Sequence, residues 1–170
     1  MVIFQTERLF FTEFSYRDIP FIMEITNTEG WLKYIGDRGT KTEEGAKAYL
    51  DKGPLLSYAK TGYGLWKLSL RNTNEPIGIC GIFDRGVFDH PDIGYAILPA
   101  YEGKGYASEA VIGTKNYAID VLKLPNLVGI TDLDNIRSIA LLEKAGMSFR
   151  KIIVLPGDHV ELNLFSLKPF

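Results

Sequence analysis

Hydrophobic and polar residues alternate with a period of two in several short stretches of the chain and recur at helical spacing in others. The alternating stretches predict strands at residues 8–14, 64–70, 77–83, 93–98, 127–131, 147–155 and 160–167. The helical stretches, with their capping residues and terminating glycines, predict a short helix around Trp31, helices that begin near Ser15 or Asp18 and at Thr42, and longer helices at residues 105–122 and 134–145.

The order of these elements indicates the fold class. If the short helix around Trp31 is left out, the order of the elements is β-α-α-β-β-β-α-β-α-β-β, with a β-hairpin over residues 64–83. This order predicts an α+β fold with α/β-type layers, in which a mixed central sheet of about seven strands is flanked by about four helices. No repeat, linker or low-complexity segment divides the sequence, so residues 1–170 are expected to form one domain.

Composition and charge exclude several classes of protein. The chain has 170 residues, and 19 lysines and arginines against 21 aspartates and glutamates give a net charge of −2, which argues against a general nucleic-acid binder. Two histidines and one cysteine are poor material for a metal site, and Cys80 lies in an apolar run typical of a small buried residue. No leader or membrane-spanning run is present, so we expect a cytoplasmic monomer or homodimer without nucleic-acid or membrane partners.

The most informative stretch joins a strand to the strongest helix through the loop Glu102-Gly103-Lys104-Gly105. Glycines let the backbone approach a ligand, and free N–H groups at a helix N-terminus favour a phosphate or pyrophosphate. The alternative is a tight turn that needs glycine for its geometry alone. A Walker loop is excluded because Gly105, not Ser or Thr, follows Lys104. A dinucleotide fingerprint is disfavoured because Ser108 stands at its third small position.

Four stretches, in order, resemble the GNAT superfamily of acyl-CoA-dependent N-acetyltransferases, and within it the RimJ/RimL branch of ribosomal-protein N-terminal acetyltransferases. They lie at residues 6–9, 62–82, 92–110 and 134–147. The resemblance implies a GNAT fold in which two neighbouring strands splay apart. It also implies acetyl-CoA as the cosubstrate and a primary amine as the acceptor, either a small molecule or a peptide N-terminus.

The resemblance also implies which residues hold the cosubstrate. The pyrophosphate is expected on the backbone amides of the glycine loop and the start of its helix, formed by Glu102, Gly103, Lys104, Gly105, Tyr106, Ala107 and Ser108. The pantetheine arm is expected to pair with the backbone of Ile97 and Leu98 and to contact Asn135 and Ser138. The type and position of Asn135 also predict a helix N-cap, and the two roles are compatible.

The implied reaction is direct attack of the amine on the thioester carbonyl, without a covalent intermediate. Many superfamily members carry a tyrosine acid where this chain has Leu142, so we expect Ser138, on the same helix face, to donate a proton to the departing thiolate. Its alternative role is helix packing. Asp92 is the best candidate for a general base, and its alternative is a solvated turn carboxylate beside Pro91. Glu109 is expected to support the helix N-terminus.

The acceptor wall is expected to include Trp31, Tyr34 and Phe83, although each of these residues also fits a place in the core. Two other functions compete with the acetyltransferase. A non-catalytic acyl-CoA-binding or sensing module on the same fold is favoured by the apolar residue at Leu142. A nucleotide-binding α/β domain is disfavoured by the order of the elements.

Overall fold

One mixed sheet of eight strands runs through the protein, which a computed structural model describes over residues 1–170. In chain order the strands are β1 (Val2–Gln5), β2 (Leu9–Thr12), β3 (Leu65–Leu70), β4 (Pro76–Phe83), β5 (Asp92–Ile97), β6 (Val128–Asp132), β7 (Ser148–Val154) and β8 (Glu161–Ser166). In space they follow the order β1-β2-β3-β4-β5-β6-β8-β7. Only β5 and β6 pair in parallel, so the sheet lacks the consecutive parallel strands of a dinucleotide-binding domain.

Helices cover both faces of this sheet. They are α1 (Ile19–Ile25), α2 (Glu29–Tyr34), α3 (Glu43–Lys52), α4 (Pro54–Thr61), α5 (Tyr106–Asn116) and α6 (Ile136–Lys144). Successive side chains of a strand point to opposite faces, and in β5 Tyr95 and Ile97 pack in the core beneath α5, whereas Ala96 packs in the core beneath α1 and α3. None of the helices combines the length and apolar character that crossing a bilayer requires.

The sequence prediction is confirmed for the α+β class and for most elements. Every predicted strand from residue 64 onward matches its observed bounds to within one residue. The helix predicted to begin at Thr42 is α3, and the Thr42 side chain accepts a hydrogen bond from the Gly45 amide at its start. The apolar runs succeed as a guide here because β3, β4, β5, β6 and β8 each place buried side chains in the core, whereas β7 has none that is fully buried.

The sequence prediction misses two elements. The strand predicted at residues 8–14 is β2, but β1 precedes it in a hairpin, and Phe4 of β1 stacks on the rings of Phe11 and Tyr117 with centroids 4.0 and 4.4 Å away. The helix α4 is missed because Gly53-Pro54 is typical of a helix end, although proline also suits a first helical turn. With these elements and the short helix α2, the sheet expected to have about seven strands has eight, and six α-helices flank it.

The helix predicted at residues 105–122 ends as an α-helix at Asn116 and continues as a π-helical turn, Tyr117–Val121. In this turn the Leu122 amide donates to the Tyr117 carbonyl at 3.0 Å, five residues back. Tyr117 packs edge-on against Trp66, which is 1% exposed. Core packing of this aromatic side chain accompanies the local change in helix type, which the apolar spacing alone could not reveal.

The strands β5 and β6 separate immediately after they meet. Their only paired residues are Asp92 and Val128, and the Val128 amide donates to the Pro91 carbonyl at 3.0 Å. Beyond this point β5 has a partner on one side only, so the sheet opens in a V between the two strands. The splay implied by the GNAT resemblance is confirmed.

Candidate active site

One continuous cleft passes through the V between β5 and β6. It runs from α2 past the open edge of β5 to the glycine loop in front of α5. All the residues expected in the site line this cleft except Leu98 and Lys104; those that do are Trp31, Tyr34, Phe83, Asp92, Ile97, Glu102, Gly103, Gly105, Tyr106, Ala107, Ser108, Asn135 and Ser138. The fold thus brings together residues that are up to 107 positions apart in the sequence.

The glycine loop presents a row of free backbone amides. Gly103 and Gly105 have φ angles of +72° and +80°, in the left-handed region that favours glycine. No amide from residue 103 to residue 108 donates a hydrogen bond within the protein, whereas the Glu102 amide donates to the Pro99 carbonyl at 3.3 Å. Free N–H groups at the start of an 11-residue helix are suited to a phosphate or pyrophosphate, so the loop fits the anionic part of coenzyme A.

The charged side chains of the loop are directed elsewhere. The Lys104 ammonium lies 5.4 Å from the centroid of the Tyr101 ring, and Lys104 does not line the cleft. The Glu102 carboxylate pairs with Arg137 at 3.2 Å. The backbone amides, rather than the Lys104 charge, are therefore the groups that face a ligand here.

The free backbone groups at the open edge of β5 belong to Ile97 and not to Leu98. The Leu98 amide donates to the Ile77 carbonyl at 2.9 Å, and the Leu98 carbonyl accepts from the Tyr101 amide at 2.9 Å. Since successive backbone groups of a strand point to opposite edges, the amide and carbonyl of Ile97 face the gap toward β6. The backbone pairing expected for Ile97 and Leu98 thus has free groups only at Ile97.

The start of α6 carries the two polar residues expected there. The Asn135 side chain accepts a hydrogen bond from the Ser138 amide at 3.2 Å, so the N-cap prediction is confirmed. Because that carbonyl oxygen faces the helix, the amide nitrogen of the Asn135 side chain is the group left for a ligand. Both residues line the cleft on the α5 side of the sheet.

Tyr95 is a site residue that the sequence did not indicate. Its hydroxyl lies 2.8 Å from the Ser138 hydroxyl and lines the same cleft. Burial raises the pKa of Tyr95, so its phenol is protonated at neutral pH. Leu142 carries no hydroxyl and is 3% exposed, and the phenol that contacts Ser138 is supplied instead by Tyr95 on β5. The one feature of the sequence that could have indicated Tyr95 is the alternation of side chains in β5, which places Tyr95 on the face toward α6.

Asp92 is buried, so its interpretation as a solvated turn carboxylate is wrong. The residue is 1% exposed, and its Oδ2 accepts a hydrogen bond from the Arg85 guanidinium. Its Oδ1 is buried without any hydrogen-bond partner. Burial raises the pKa of Asp92 to about 6, against the opposing effect of Arg85. A carboxyl group that titrates near neutrality in a cleft has the properties of a general base.

The three expected wall residues differ in their environments. Trp31 is 5% exposed and its indole N–H donates to the Gly36 carbonyl at 3.1 Å, so its core role is confirmed although its edge lines the cleft. Tyr34 is 38% exposed, and the alternative of a core role is wrong for it. Phe83 is half-buried beneath the Arg85 guanidinium, 4.5 Å from the ring centroid, and it pairs with Asp92 across β4 and β5.

No side chain of the site is arranged as a covalent nucleophile. The Cys80 thiol is completely buried beside Thr114, and burial raises its pKa to about 12, so the prediction of a small buried residue is confirmed. His90 stacks on Phe170 with ring centroids 6.1 Å apart, and His159 is exposed in the hairpin of β7 and β8. The chemistry of the cleft therefore depends on hydroxyls, one buried carboxyl and backbone amides.

A family model described as an acetyltransferase (GNAT) domain matches residues 8–148. The uncharacterized N-acetyltransferase YnaD of Bacillus subtilis is 32% identical over 143 residues, which cover 84% of this chain and 80% of that relative. The chain therefore belongs to the GNAT acetyltransferase family. It is an acetyl-CoA-dependent acyltransferase, with acetyl-CoA as its cosubstrate.

Solved structures share the fold over nearly the whole chain. A GNAT-family acetyltransferase from Bacillus anthracis has a TM-score of 0.80 and 26% identity, covering 98% of this chain and 97% of that one. Spermidine N-acetyltransferase from Vibrio cholerae, in complex with CoA and spermine, has a TM-score of 0.77 and 14% identity over 95% of each chain. RimL, a ribosomal L7/L12 α-N-protein acetyltransferase in complex with coenzyme A, has a TM-score of 0.74 and 16% identity, covering 98% and 97%. At 14% and 16% identity, the similarity to these last two structures shows a shared fold alone.

Proposed function

We propose that this acyltransferase acetylates the primary amine of a peptide N-terminus or of a small monoamine by direct attack on acetyl-CoA. One observation carries the proposal: a buried carboxyl and a hydroxyl pair lie on opposite faces of β5, beside the V that connects the two faces. Asp92 points to the face that carries Phe83 and α2, while Tyr95 points to the face of α5 and α6. The amine and the thiol of coenzyme A can therefore meet in the V from opposite sides.

Acetyl-CoA supplies the reactive acetyl thioester. The amides of residues 103–108 are proposed to hold its pyrophosphate, since they are the free donors at the start of α5. The backbone of Ile97 is proposed to pair with the pantetheine arm, and the Asn135 side chain to donate to it. The glycine loop and the open strand edge belong to one cleft, so a single extended molecule can contact both.

The proposed reaction transfers one proton at each side of the V. The amine nitrogen forms the new C–N bond, the C–S bond breaks, the amine loses a proton and the sulfur gains one. Asp92 accepts the amine proton through its unpartnered Oδ1, and Ser138 donates a hydrogen bond or proton to the sulfur. An α-amine has a pKa of about 7.7–8, so a base with a pKa near 6 is sufficient to take its proton during attack.

The charges of the cleft favour an acceptor with a single amine. Acidic residues such as Asp84 and Asp158 are matched by basic residues such as Lys33 and Arg38 along its walls. A polyamine would need several uncompensated carboxylates, because each of its ammonium groups must be paired when it leaves water. The order of motifs that resembles the RimJ/RimL branch supports a peptide N-terminus among the monoamines.

The experiment is a coenzyme A release assay with a panel of acceptors, combined with calorimetric titration of acetyl-CoA. The panel contains peptides with different N-terminal residues, alkyl and aryl monoamines, and spermidine. We expect turnover on at least one monoamine or peptide and none above background on spermidine. Binding of acetyl-CoA without turnover on any acceptor would overturn the proposal and support the sensing module. Efficient turnover of spermidine would overturn the choice of acceptor alone.

A further inference from the structure

The turn between β1 and β2 carries an arginine that reaches the glycine loop. The Arg8 Nη1 donates to the Lys104 carbonyl at 3.0 Å, and the guanidinium lies 4.4 Å from the centroid of the Tyr106 ring. The Arg8 Nη2 lies 3.3 Å from the position that a Cβ on Gly105 would occupy. Arg8 thus contacts Lys104 of the loop and Tyr106 at the start of α5, and lies beside Gly105, from a segment about 100 positions earlier in the sequence.

Glu109, in the first turn of α5, is bound by the same segment. Its Oε1 accepts from the Thr6 hydroxyl at 2.6 Å and from the Arg8 amide at 2.7 Å, and its Oε2 accepts from the Arg8 Nε at 2.6 Å. Burial alone would raise the pKa of Glu109, but the bonds from Thr6 and Arg8 outweigh it and lower the pKa. The carboxylate is therefore ionised and paired, and it also lies in the first turn of α5, where the sequence predicts that it supports the helix N-terminus.

The turn that carries Arg8 is itself fixed from the hairpin of β3 and β4. The Arg71 guanidinium donates to the carbonyls of Thr6 and Glu7 at 2.9 and 3.1 Å, and the Arg71 amide donates to the Arg8 carbonyl at 2.9 Å. Arg8 is consequently anchored on one side by the central hairpin and contacts the loop on the other. Its contacts do not depend on a flexible chain end.

We infer that Arg8 is a positioning residue for the coenzyme A cradle, acting through the backbone of the glycine loop and through the charge of Glu109. Arg8 does not line the cleft, so it acts on the ligand only through these neighbours. The loop has two left-handed residues and no amide bonded within it from residue 103 to residue 108, so its shape needs an external support. Without the Arg8 guanidinium, Glu109 would keep its bonds from the Thr6 hydroxyl and the residue 8 amide, but its charge would lack a counter-ion and would repel phosphates held at the proposed place.

The inference rests on the proposed placement of the pyrophosphate at residues 103–108, and its test separates the two. Arg8→Gln is compared with wild type for coenzyme A affinity by calorimetry, and for kcat/KM with acetyl-CoA and with S-acetylpantetheine, which lacks the pyrophosphate. We expect Arg8→Gln to weaken coenzyme A binding about ten-fold, as for the loss of a charge-assisted hydrogen bond. The kcat/KM for S-acetylpantetheine should stay within about two-fold of wild type, because that donor does not use the loop.

Two further variants sharpen the test. Arg8→Gln combined with Glu109→Gln should regain part of the lost affinity, because the repelling carboxylate is also removed. Arg17→Gln is the matched control, since it removes an exposed arginine that makes no ion pair, and should bind coenzyme A like wild type. Unchanged affinity in Arg8→Gln, or an equal loss with both acetyl donors, would overturn the inference. If no acceptor is turned over, the binding titration still decides it; if Arg8→Gln does not fold, Arg8→Lys takes its place with a smaller expected loss.

Discussion

At the scale of single residues, the Ser138 hydroxyl depends on its neighbour Tyr95. A phenol is a stronger acid than an alcohol, so at a separation of 2.8 Å the favoured arrangement has Tyr95 donating to the Ser138 oxygen. A hydroxyl that accepts one hydrogen bond keeps its own proton free to donate, and the first bond strengthens the second. In the proposed mechanism, Tyr95 would thus leave the Ser138 O–H free for the departing sulfur.

Removing either hydroxyl should affect turnover and not cosubstrate binding. We expect Ser138→Ala to lower kcat by about 100-fold, the lower range for loss of a general acid, and Tyr95→Phe by about ten-fold. In the Ser138→Ala background, Tyr95→Phe should have almost no further effect, because the two groups act as a unit. The measurements are kcat and the calorimetric affinity for acetyl-CoA, which should stay within about two-fold of wild type.

The matched control for Tyr95→Phe is Tyr117→Phe. Tyr117 is also packed against the core, but it lies outside the cleft, so its phenylalanine variant should keep wild-type turnover. A normal kcat in Ser138→Ala would remove Ser138 from the proposed chemistry. Independent, additive effects of Tyr95→Phe and Ser138→Ala would show that Tyr95 does not act through Ser138.

The residues of the site that the sequence could indicate are those whose type is characteristic of one structural position. Two glycines before a helix indicate an anion, and Asn135 before a helix indicates a cap. Tyr95 could not be paired with Ser138 from the sequence, because their contact spans 43 residues and depends on the angle of α6 to β5. The burial of Asp92 was hidden by Pro91, which is typical of a turn, while its partner Arg85 lies in the preceding loop.

At the scale of elements, the loop before α5 combines two backbone requirements that only glycine satisfies well. Gly103 and Gly105 both have positive φ angles, which cost other residues about 1–2 kcal/mol. A Cβ at position 105 would also lie 3.3 Å from the Arg8 Nη2, so the end of that side chain would have to shift slightly. The loop therefore needs glycine at both positions to present its amides, and other residues there would be poorly tolerated.

Substituting Gly105 by glutamate should abolish coenzyme A binding. The new carboxylate would stand among the amides and repel the phosphates, so we expect the dissociation constant to rise by ~100-fold or more. Gly157→Glu is the matched control, because Gly157 has a φ angle of +81°, open space around it and a place outside the cleft. Both variants carry the same backbone strain, so their unfolding temperatures should fall by similar amounts. Coenzyme A affinity that survives Gly105→Glu would refute the cradle.

Elements were predictable where a run of apolar residues is flanked by turn residues. The strands from β3 to β8 meet this condition, although β4 is buried on both faces and β7 has no fully buried residue. The helix α4 fails it, because only Pro54 among its residues is fully buried and the chain before it is typical of a helix end. The turn of π-helix at Tyr117 accompanies aromatic packing across three separate elements, which no local pattern contains.

At the scale of the whole molecule, the buried Asp92 gives stability and activity opposite dependences on pH. Its pKa is raised from 3.8 to about 6 by burial, so the folded protein holds a proton that the unfolded chain has lost in this interval. The contribution of Asp92 to the free energy of unfolding is therefore full below pH 3.8 and is lost as the pH rises to about 6. A general base must lose the same proton, so activity should rise over the same interval.

The variant Asp92→Asn should show which part of the pH dependence of activity and of stability is due to Asp92. We expect kcat/KM to lose the limb that rises near pH 6 and to fall about ten-fold or more at higher pH, while the limb near pH 8 that belongs to an α-amine acceptor remains. Thermal unfolding from pH 4 to 7 should show that the variant gains stability relative to wild type as the pH rises.

The control variant Asp89→Asn makes the same charge change at an exposed residue of the loop before β5 and should alter neither the activity profile nor the stability profile. An unchanged limb near pH 6 in Asp92→Asn would assign the base to another group, and a stability difference that does not grow with pH would contradict the raised pKa.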